Sequence, residues 1–216
     1  MIRVERGVEP FETRIRLAVG EEEIVYATLK RLAPNYANWR VLQEIQAHSK
    51  AICWPDCIEF ITDGRGILTG SWDDTLKLWD ISTVLNTGMA GGREIRAFRG
   101  HPNDVRSIAL SPGGRTVLSG SSDKTLKLWD LASRKVIRTF REHSGSVYAV
   151  AIAPDGRSAL SGSRDNTLKL RGVASGKVIR ILEGHSNSVH SIAFSPNGRR
   201  AASGDKSGVM ILWGEE

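Results

Sequence analysis

Short stretches in which apolar and polar residues alternate recur along most of the chain. VRSIAL (105–110), VYAVAI (147–152) and VHSIAF (189–194) have the two-residue period of half-buried β-strands. Gly-Gly, Asp-Gly or Asn-Gly follows each stretch within a few residues, and such pairs favour tight hairpin turns. Two further apolar segments come next, of the types TLKLWD and KVIRTF. The pattern predicts units of four short antiparallel strands.

The units repeat with a fixed period. His101, His143 and His185 stand 42 residues apart, and His48 precedes His101 by 53. Two insertions account for the longer first interval, a glycine-rich loop at 84–93 and about three residues at 54–56. A similar sequence segment follows each histidine. Its four copies are LTGSWDDTLKLWD (68–80), LSGSSDKTLKLWD (118–130), LSGSRDNTLKLRG (160–172) and ASGDKSGVMILWG (202–214). A period of this length is typical of repeat architectures in which neighbouring units pack on one another.

This text resembles the tryptophan-aspartate (WD) repeat family, whose repeats have Gly-His near the start, Asp in a tight turn and Trp-Asp near the end. The resemblance covers residues 40–214. It implies an all-β fold, a β-propeller of four four-stranded antiparallel blades that forms an open or a minimal ring. We expect a propeller domain at 39–216, with blades at approximately 48–98, 101–140, 143–182 and 185–213 and an outer strand at 40–45.

The resemblance also implies a buried hydrogen-bond relay of His, Ser or Thr, Asp and Trp in each blade. The residues at these positions are His48, Thr69, Asp73 and Trp79; His101, Ser119, Asp123 and Trp129; His143, Ser161 and Asp165; and His185, Ser203 and Trp213. The third repeat has Arg171 in the tryptophan position, and the fourth has Ser207 in place of the aspartate. We therefore expect two broken relays and a softer second half of the domain.

Closure of the ring has two possible outcomes. RVLQEI at 40–45 aligns with the outer strands of the repeats, whereas the last repeat has no outer strand of its own before WGEE. The two ends would suit a clasp that closes a compact four-blade ring. Propellers of this family usually have more blades, so we prefer an open or incomplete propeller. Its open blade edges would favour a homo-oligomer.

Residues 1–38 do not follow the repeat. FETRIRLAV alternates apolar and polar residues and predicts a strand. EEEIVYATLKRLAP places apolar residues on one face of a short helix that ends before Pro34. We expect an N-terminal extension of one strand and one helix.

Two sets of positions vary while their neighbours repeat. One precedes the turn aspartate, and the other lies five residues after the histidine. The two sets are Trp72, Ser122, Arg164 and Lys206, and Arg106, Tyr148 and His190. A surface that binds a partner selectively would show such variation, and so would neutral substitution of exposed residues. Trp, Tyr and Arg are residue types that dominate binding energy at interfaces, and the cations in these sets suit an acidic or phosphorylated peptide.

Composition limits the classes of function. The chain has 30 Lys and Arg against 24 Asp and Glu, for a net charge of +6, which favours acidic partners. Nucleic-acid binding is the less favoured alternative, because the basic residues are spread over all repeats and no aromatic residues are interleaved with them. The two cysteines in CWPDC have no second pair, so we expect free thiols, no metal site and no cofactor. Without a secretory signal or a long apolar run, a cytoplasmic location with no membrane span is expected.

The function predicted from sequence is a non-catalytic protein–protein interaction scaffold or sensor module that binds a protein or peptide through the propeller face. A basic nucleic-acid-associated module and a regulatory fragment of a larger signalling protein are the alternatives. An enzyme is disfavoured because the Ser, His and Asp grouping recurs in the repeats, whereas a catalytic triad occupies one cleft.

Overall fold

The structure, a computed structural model, describes strands at 3–6, 12–19 and 23–30 and then residues 44–53, 57–62, 64–82 and 92–214. The chain divides into two compact units, Met1–Val41 and Leu42–Glu216. Within the described residues, no helix is long and apolar enough to cross a membrane.

The first unit contains an antiparallel sheet with the order β1-β2-β3. Its strands are β1 (Arg3–Arg6), β2 (Glu12–Val19) and β3 (Glu23–Lys30). The strand predicted for FETRIRLAV is therefore confirmed, but the helix predicted for the following segment is wrong. The sequence EIVYATLK also alternates, and its β-branched residues favour an extended backbone. Every residue of β3 pairs with β2, from Glu23 opposite Val19 to Lys30 opposite Glu12, whereas an isolated helix of this length is marginal.

The second unit contains four consecutive antiparallel sheets, which we call blades 1 to 4. Blade 1 comprises β4 (Ile58–Phe60), β5 (Gly66–Gly70), β6 (Thr75–Asp80) and β7 (Arg93–Arg99). Blade 2 comprises β8 (Val105–Leu110), β9 (Thr116–Ser121), β10 (Leu126–Asp130) and β11 (Val136–Phe140). Blade 3 comprises β12 (Val147–Ile152), β13 (Ser158–Ser163), β14 (Leu168–Gly172) and β15 (Val178–Leu182). Blade 4 comprises β16 (Val189–Phe194), β17 (Arg200–Asp205) and β18 (Met210–Gly214).

The predicted hairpins are present between the first two strands of the blades. In blade 2, Ser111 donates its backbone N–H to Thr116 across the turn, and Gly114 donates to Ser111. Gly114 has a φ of +65°, a conformation that glycine adopts without the steric cost of a Cβ atom. The second glycine of the Gly-Gly pair thus determines how the strand reverses.

Each blade packs its apolar face against the next blade. The cluster between blades 2 and 3 contains Leu118, Leu126, Leu128, Phe140, Val147, Val150 and Ala159. Equivalent clusters join blade 1 to blade 2 and blade 3 to blade 4. The first and third clusters include Trp129 and Trp213, respectively, so the repeated tryptophan belongs to the interface between blades. Blade stacking therefore builds the core of this unit.

Within the described residues the blades do not close a ring, which agrees with the preferred open arrangement and not with the compact four-blade ring. Ile58 and Phe60 of blade 1 and Met210 and Leu212 of blade 4 are exposed. Part of the predicted outer strand, 40–43, lies outside the described residues, and Glu44 and Ile45 are not in a strand. Among the described strands, β18 pairs only with β17.

The structure brings Cys53 and Cys57, which we expected as free thiols, side by side with their sulfur atoms in contact. The backbone N–H of Cys53 donates to the carbonyl of Gly70, and the N–H of Gly70 donates to the carbonyl of Cys57. The backbones of Cys53 and Cys57 therefore bond to the same residue of β5. These bonds hold the two Cα atoms 5.4 Å apart, a separation that a disulfide can bridge.

We predict that Gly120→Ala destabilises the second unit. An added Cβ would lie 2.7 Å from Cγ1 of Val147 and 3.0 Å from Cγ1 of Val150, both in the next blade. Such overpacking of an interior costs about 1–3 kcal/mol. The free energy of unfolding from chemical denaturation measures the effect. Gly113→Ala is the matched control, because nothing lies within 4 Å of its added Cβ, and equal losses for both variants would contradict close packing between blades.

Candidate partner-binding site

A relay of hydrogen bonds crosses the interior of blade 2. The indole Nε1 of Trp129 donates to Oγ of Ser119 over 2.8 Å, and this hydroxyl lies 2.7 Å from Nε2 of His101. On the other side of the ring, Nδ1 of His101 lies 2.7 Å from Oδ2 of Asp123. The geometry suits an imidazole that donates from Nδ1 to the carboxylate and accepts at Nε2 from the hydroxyl. The relay links the outer part of the blade to its tight turn.

Blade 1 has the same relay with threonine in place of serine. Oγ1 of Thr69 accepts from Nε1 of Trp79 over 3.0 Å and lies 2.8 Å from Nε2 of His48. Nδ1 of His48 lies 3.0 Å from Oδ2 of Asp73. Burial lowers the pKa of His48 and outweighs the opposing hydrogen bond and charge of Asp73. The buried ring therefore acts as a neutral donor and acceptor.

In blade 3 an arginine replaces the indole without leaving the relay unsatisfied. His143 bridges Ser161 and Asp165, each over 2.8 Å. Arg171 is buried, and one of its terminal nitrogens donates to Oγ of Ser161 over 3.4 Å. The other donates to the carboxylate of Glu142 over 2.8 Å. The relay predicted to be broken in blade 3 is therefore intact, because a guanidinium N–H takes the place of the indole N–H.

Glu142 is a residue that the sequence reasoning missed. The position before the relay histidine carries Ala47, Gly100 and Gly184 in the blades that have tryptophan. A Cβ added at Gly100 would lie 3.0 Å from the Trp129 ring, so the indole favours a small neighbour there. In blade 3 both positions have changed, to glutamate and arginine. The presence of both exceptions in one repeat was a signal of coupling that the sequence contained.

In blade 4 the relay is complete, which contradicts the expectation that Ser207 leaves it without an acid. Asp205 takes this role, with Oδ2 at 3.0 Å from Nδ1 of His185. Ser203 completes the chain, accepting from Nε1 of Trp213 and lying 2.7 Å from Nε2 of His185. The hydroxyl of Ser207 donates to Asp205 over 2.6 Å. The aspartate has moved two positions along the turn, and its side chain still reaches the histidine.

The relay aspartates are held ionised by hydrogen bonds. Burial alone would raise the pKa of Asp73, but the hydroxyl of Thr75 and the ring of His48 outweigh it and lower the pKa to about 2. The hydroxyl of Ser207 is the largest cause that lowers the pKa of Asp205, also to about 2. The pKa values of Asp123 and Asp165 are lowered against burial mainly by their histidine and threonine partners. All four carboxylates therefore act as acceptors in the folded state.

The turns that the relays hold present equivalent backbone positions in every blade. The residue before the relay aspartate, or its equivalent in blade 4, donates its backbone N–H to the carbonyl three residues after the relay histidine. These bonds join Trp72 to Ala51, Ser122 to Asp104, Arg164 to Ser146, and Lys206 to Ser188, over 2.8–3.0 Å. The backbone is therefore constant from blade to blade at these turns, and only the side chains differ.

We call the surface formed by Trp72, Arg106, Ser122, Tyr148, Arg164, His190 and Lys206 the turn face. The structure joins some of these predicted residues in pairs across blade boundaries. The guanidinium carbon of Arg106 lies 4.7 Å from the ring centroid of Trp72 in the preceding blade. Arg106 also donates to Oγ of Ser122 over 2.8 Å and pairs with Asp104. The rings of Tyr148 and His190 lie 4.6 Å apart, between blades 3 and 4.

Positive charge remains available on the turn face. Arg164 and Lys206 are exposed, and neither has a hydrogen-bonding or ion-pair partner for its side-chain cation among the residues that the structure describes. Burial lowers the pKa of His190, and the nearby charges of Lys206 and Arg106 lower it further. The turn face therefore combines aromatic rings with two cations, Arg164 and Lys206, that have no counter-charge among the described residues.

The histidines, hydroxyls and aspartates of the four relays are bonded to one another below this surface. Within the described parts of the chain, no group of three or more His, Cys, Asp or Glu side chains is arranged to hold a metal ion. What the exposed arrangement can do is contact a partner through rings and cations on a rigid backbone.

Stacked antiparallel sheets of three or four strands with a repeated internal relay define a β-propeller-type repeat protein. The family model described as "WD domain, G-beta repeat" matches residues 39–80, 92–130, 134–171 and 176–214. The chain belongs to this WD-repeat family. It is similar to guanine nucleotide-binding protein subunit beta-1 of Caenorhabditis briggsae, with 39% identity over 75 residues. The G(I)/G(S)/G(T) subunit beta-1 of Homarus americanus is 37% identical over the same length. Each match covers 35% of this chain and 18% of the relative's length.

We predict strong coupling between Glu142 and Arg171. Glu142→Gly leaves the buried guanidinium without its carboxylate and should cost about 1.5–3 kcal/mol. Arg171→Trp crowds an indole against the glutamate and should cost about 1–3 kcal/mol. The double variant restores the Gly and Trp pair of blades 2 and 4 and should be more stable than either single variant. Unfolding free energies in a double-mutant cycle measure the coupling, and strictly additive losses would rule it out.

We predict that the free energy of unfolding falls as pH is lowered from about 4 to about 2. The unfolded chain binds protons on its aspartates near pH 3.9, whereas the folded relays keep theirs ionised to lower pH. Stability is thus present above the unfolded pKa and lost toward the folded pKa. Asp123→Asn and Asp205→Asn should each flatten this dependence in denaturation series at different pH. Asp155→Asn, in an exposed hairpin turn, is the control, and an equal slope in all variants would argue against the relay as its source.

Proposed function

We propose that this chain is a non-catalytic protein-interaction scaffold or sensor module that holds a protein or peptide on the turn face. The observation that carries the proposal is the constant backbone of the turns combined with different side chains at each equivalent position. Variable side chains on a fixed backbone can bind a partner selectively, because no loop has to be ordered on binding and its entropic cost is avoided. Membership of the WD-repeat family supports an interaction role in general.

The side chains present on the turn face support this proposal. Trp72 and Arg106 form a cation–π stack, and Tyr148 and His190 form a second ring pair. Each stack fixes the orientation of side chains that would otherwise lose rotamer freedom on binding. Trp, Tyr and Arg are also the residues most often responsible for binding energy at interfaces. The two stacks are the anchors that we assign to a partner.

An acidic or phosphorylated peptide is the partner class that the charges favour. Arg106 is committed to Asp104, but Arg164 and Lys206 have no carboxylate partner among the described residues. A carboxylate or phosphate that contacts either cation would gain charge-assisted hydrogen bonds. Nucleic acid is less favoured because the cations are few and lie beside only two ring pairs. The relatives named above are subunits of larger assemblies, which supports a role within a complex.

We predict that Trp72→Ala combined with Arg164→Ala lowers partner capture at least about tenfold while the thermal unfolding midpoint stays nearly unchanged. Both residues are exposed at turns and do not belong to the relays. Immobilised chain captures proteins from a cell extract, and quantitative mass spectrometry compares the variants.

The matched control for this experiment is Ile179→Ala combined with Arg180→Ala, which removes the same kinds of side chain from the exposed surface of β15. Loss of capture in the turn-face variant alone supports the proposal. Undiminished capture, or equal loss in both variants, would count against the turn face. Binding of single-stranded RNA that weakens steeply with salt would favour the nucleic-acid alternative.

A further inference from the structure

We propose that the 216-residue chain associates head to tail with a second copy of itself, through the two blade faces that its own blades leave uncovered. In each blade, the trailing face is the one that packs on the next blade, and the leading face is the one that packs on the preceding blade. Trailing and leading faces meet three times inside the chain. Each copy presents one further trailing face on blade 4 and one further leading face on blade 1.

Repeat equivalence identifies the trailing face of blade 4. Leu126 of blade 2 and Leu168 of blade 3 are fully buried against the following blades. Met210 pairs with Gly204 in the same register in which Leu126 pairs with Gly120. Its exposure is nevertheless 75%, and that of Leu212, two residues along the same face, is 66%. These side chains occupy the positions of an internal interface but face solvent.

Repeat equivalence also identifies the leading face of blade 1. Ile58 pairs with Thr69 as Ile108 pairs with Ser119 in blade 2, and Phe60 occupies the position of Leu110. Ile108 is buried against blade 1. Ile58 and Phe60 have exposures of 57% and 62%. This face is therefore apolar and uncovered along the innermost strand β4.

A second copy is the occupant that fits both faces. The trailing face around Met210 and Leu212 carries Ala193 and Ala202 in the positions of Ala109 and Leu118, and Arg200 lies at the edge of the same face, opposite Gly214. A leading face carries the apolar side chains that cover the equivalent surface in the other blades.

The largest exposed side chain on the leading face of blade 1, that of Phe60, also fits an interface between blades. Phe60 is a residue that the interface accepts, since Phe194 holds the equivalent position in blade 4 and packs against blade 3. The contact between copies would therefore continue the packing already seen between blades. Such an association is heterologous, so it joins different faces of the two copies and closes when the accumulated rotation returns to the start.

The test is the mass of the chain in solution, measured by sedimentation equilibrium over a wide concentration range. We expect the wild-type chain to exceed the 23.7 kDa of a single copy. Ile58→Asp with Phe60→Asp removes the leading face, and Met210→Asp with Leu212→Asp removes the trailing face. Each double variant should fall to the mass of one copy, because a head-to-tail ring needs both faces and a charge opposite an apolar face is costly.

Mixing the two double variants separates head-to-tail association from other modes. Each retains one intact face, so an equimolar mixture should regain a species of twice the single mass. A leading-face variant that still dimerises by itself would indicate contact between two trailing faces, and the converse result would indicate contact between two leading faces. Either result, or a wild-type chain that is monomeric at every concentration, overturns the proposal.

Ile179→Asp is the control, since this residue is exposed on an outer strand and should leave the mass of the wild-type chain unchanged. Circular dichroism verifies that each variant is folded. If a double variant unfolds, the single changes Phe60→Ser and Leu212→Ser provide the same comparison with a smaller perturbation. The turn face is not altered by any of these changes, so partner capture and self-association can fail independently.

Discussion

The packing of one apolar sheet face against the next is the interaction on which the larger unit depends. A four-stranded sheet of this size cannot bury its leucines alone, and burial of each side chain contributes about 1.5–3 kcal/mol. The requirement explains why Leu118, Leu126 and Leu128 recur with the period of the repeat. It also explains the glycine in the second strand, because Val147 of the next blade approaches the backbone of Gly120 too closely for a larger residue.

The relays add specificity to this packing by fixing the tight turns against the sheets. Each relay needs an N–H donor to its buried hydroxyl and an acceptor for its buried imidazole. Residues of different types can supply these groups. Arg171 meets the first need where tryptophan is absent, and Asp205 meets the second from a shifted position. Glu142 pairs with one terminal nitrogen of this buried guanidinium and so offsets part of its desolvation cost. The backbone of the turns is therefore the same in every blade, although the relay residues inside the blades and the exposed side chains of the turn face differ.

The sequence predicts the blades because alternation and the 42-residue period both report local geometry. Prediction from sequence fails where the structure depends on contacts between residues that are distant in the sequence. EIVYATLK fits a helical stripe and a strand, and pairing with β2 selects the strand. The cysteines meet because the backbones of both bond to Gly70 of β5. The positions of the turn face follow from the repeat, but the stacking of Arg106 on Trp72 of another blade depends on how neighbouring blades are placed.

The pairing of Glu142 with Arg171 has a consequence for how such a gene can change. A crossover between these two residues, whose numbers differ by 29, would produce hybrids with glutamate beside an indole or a guanidinium beside glycine. Both hybrids would carry a mismatched interior and would be less stable than the present third repeat. Recombination between Glu142 and Arg171 therefore costs stability, and this constraint comes from one ion pair rather than from the exposed turns.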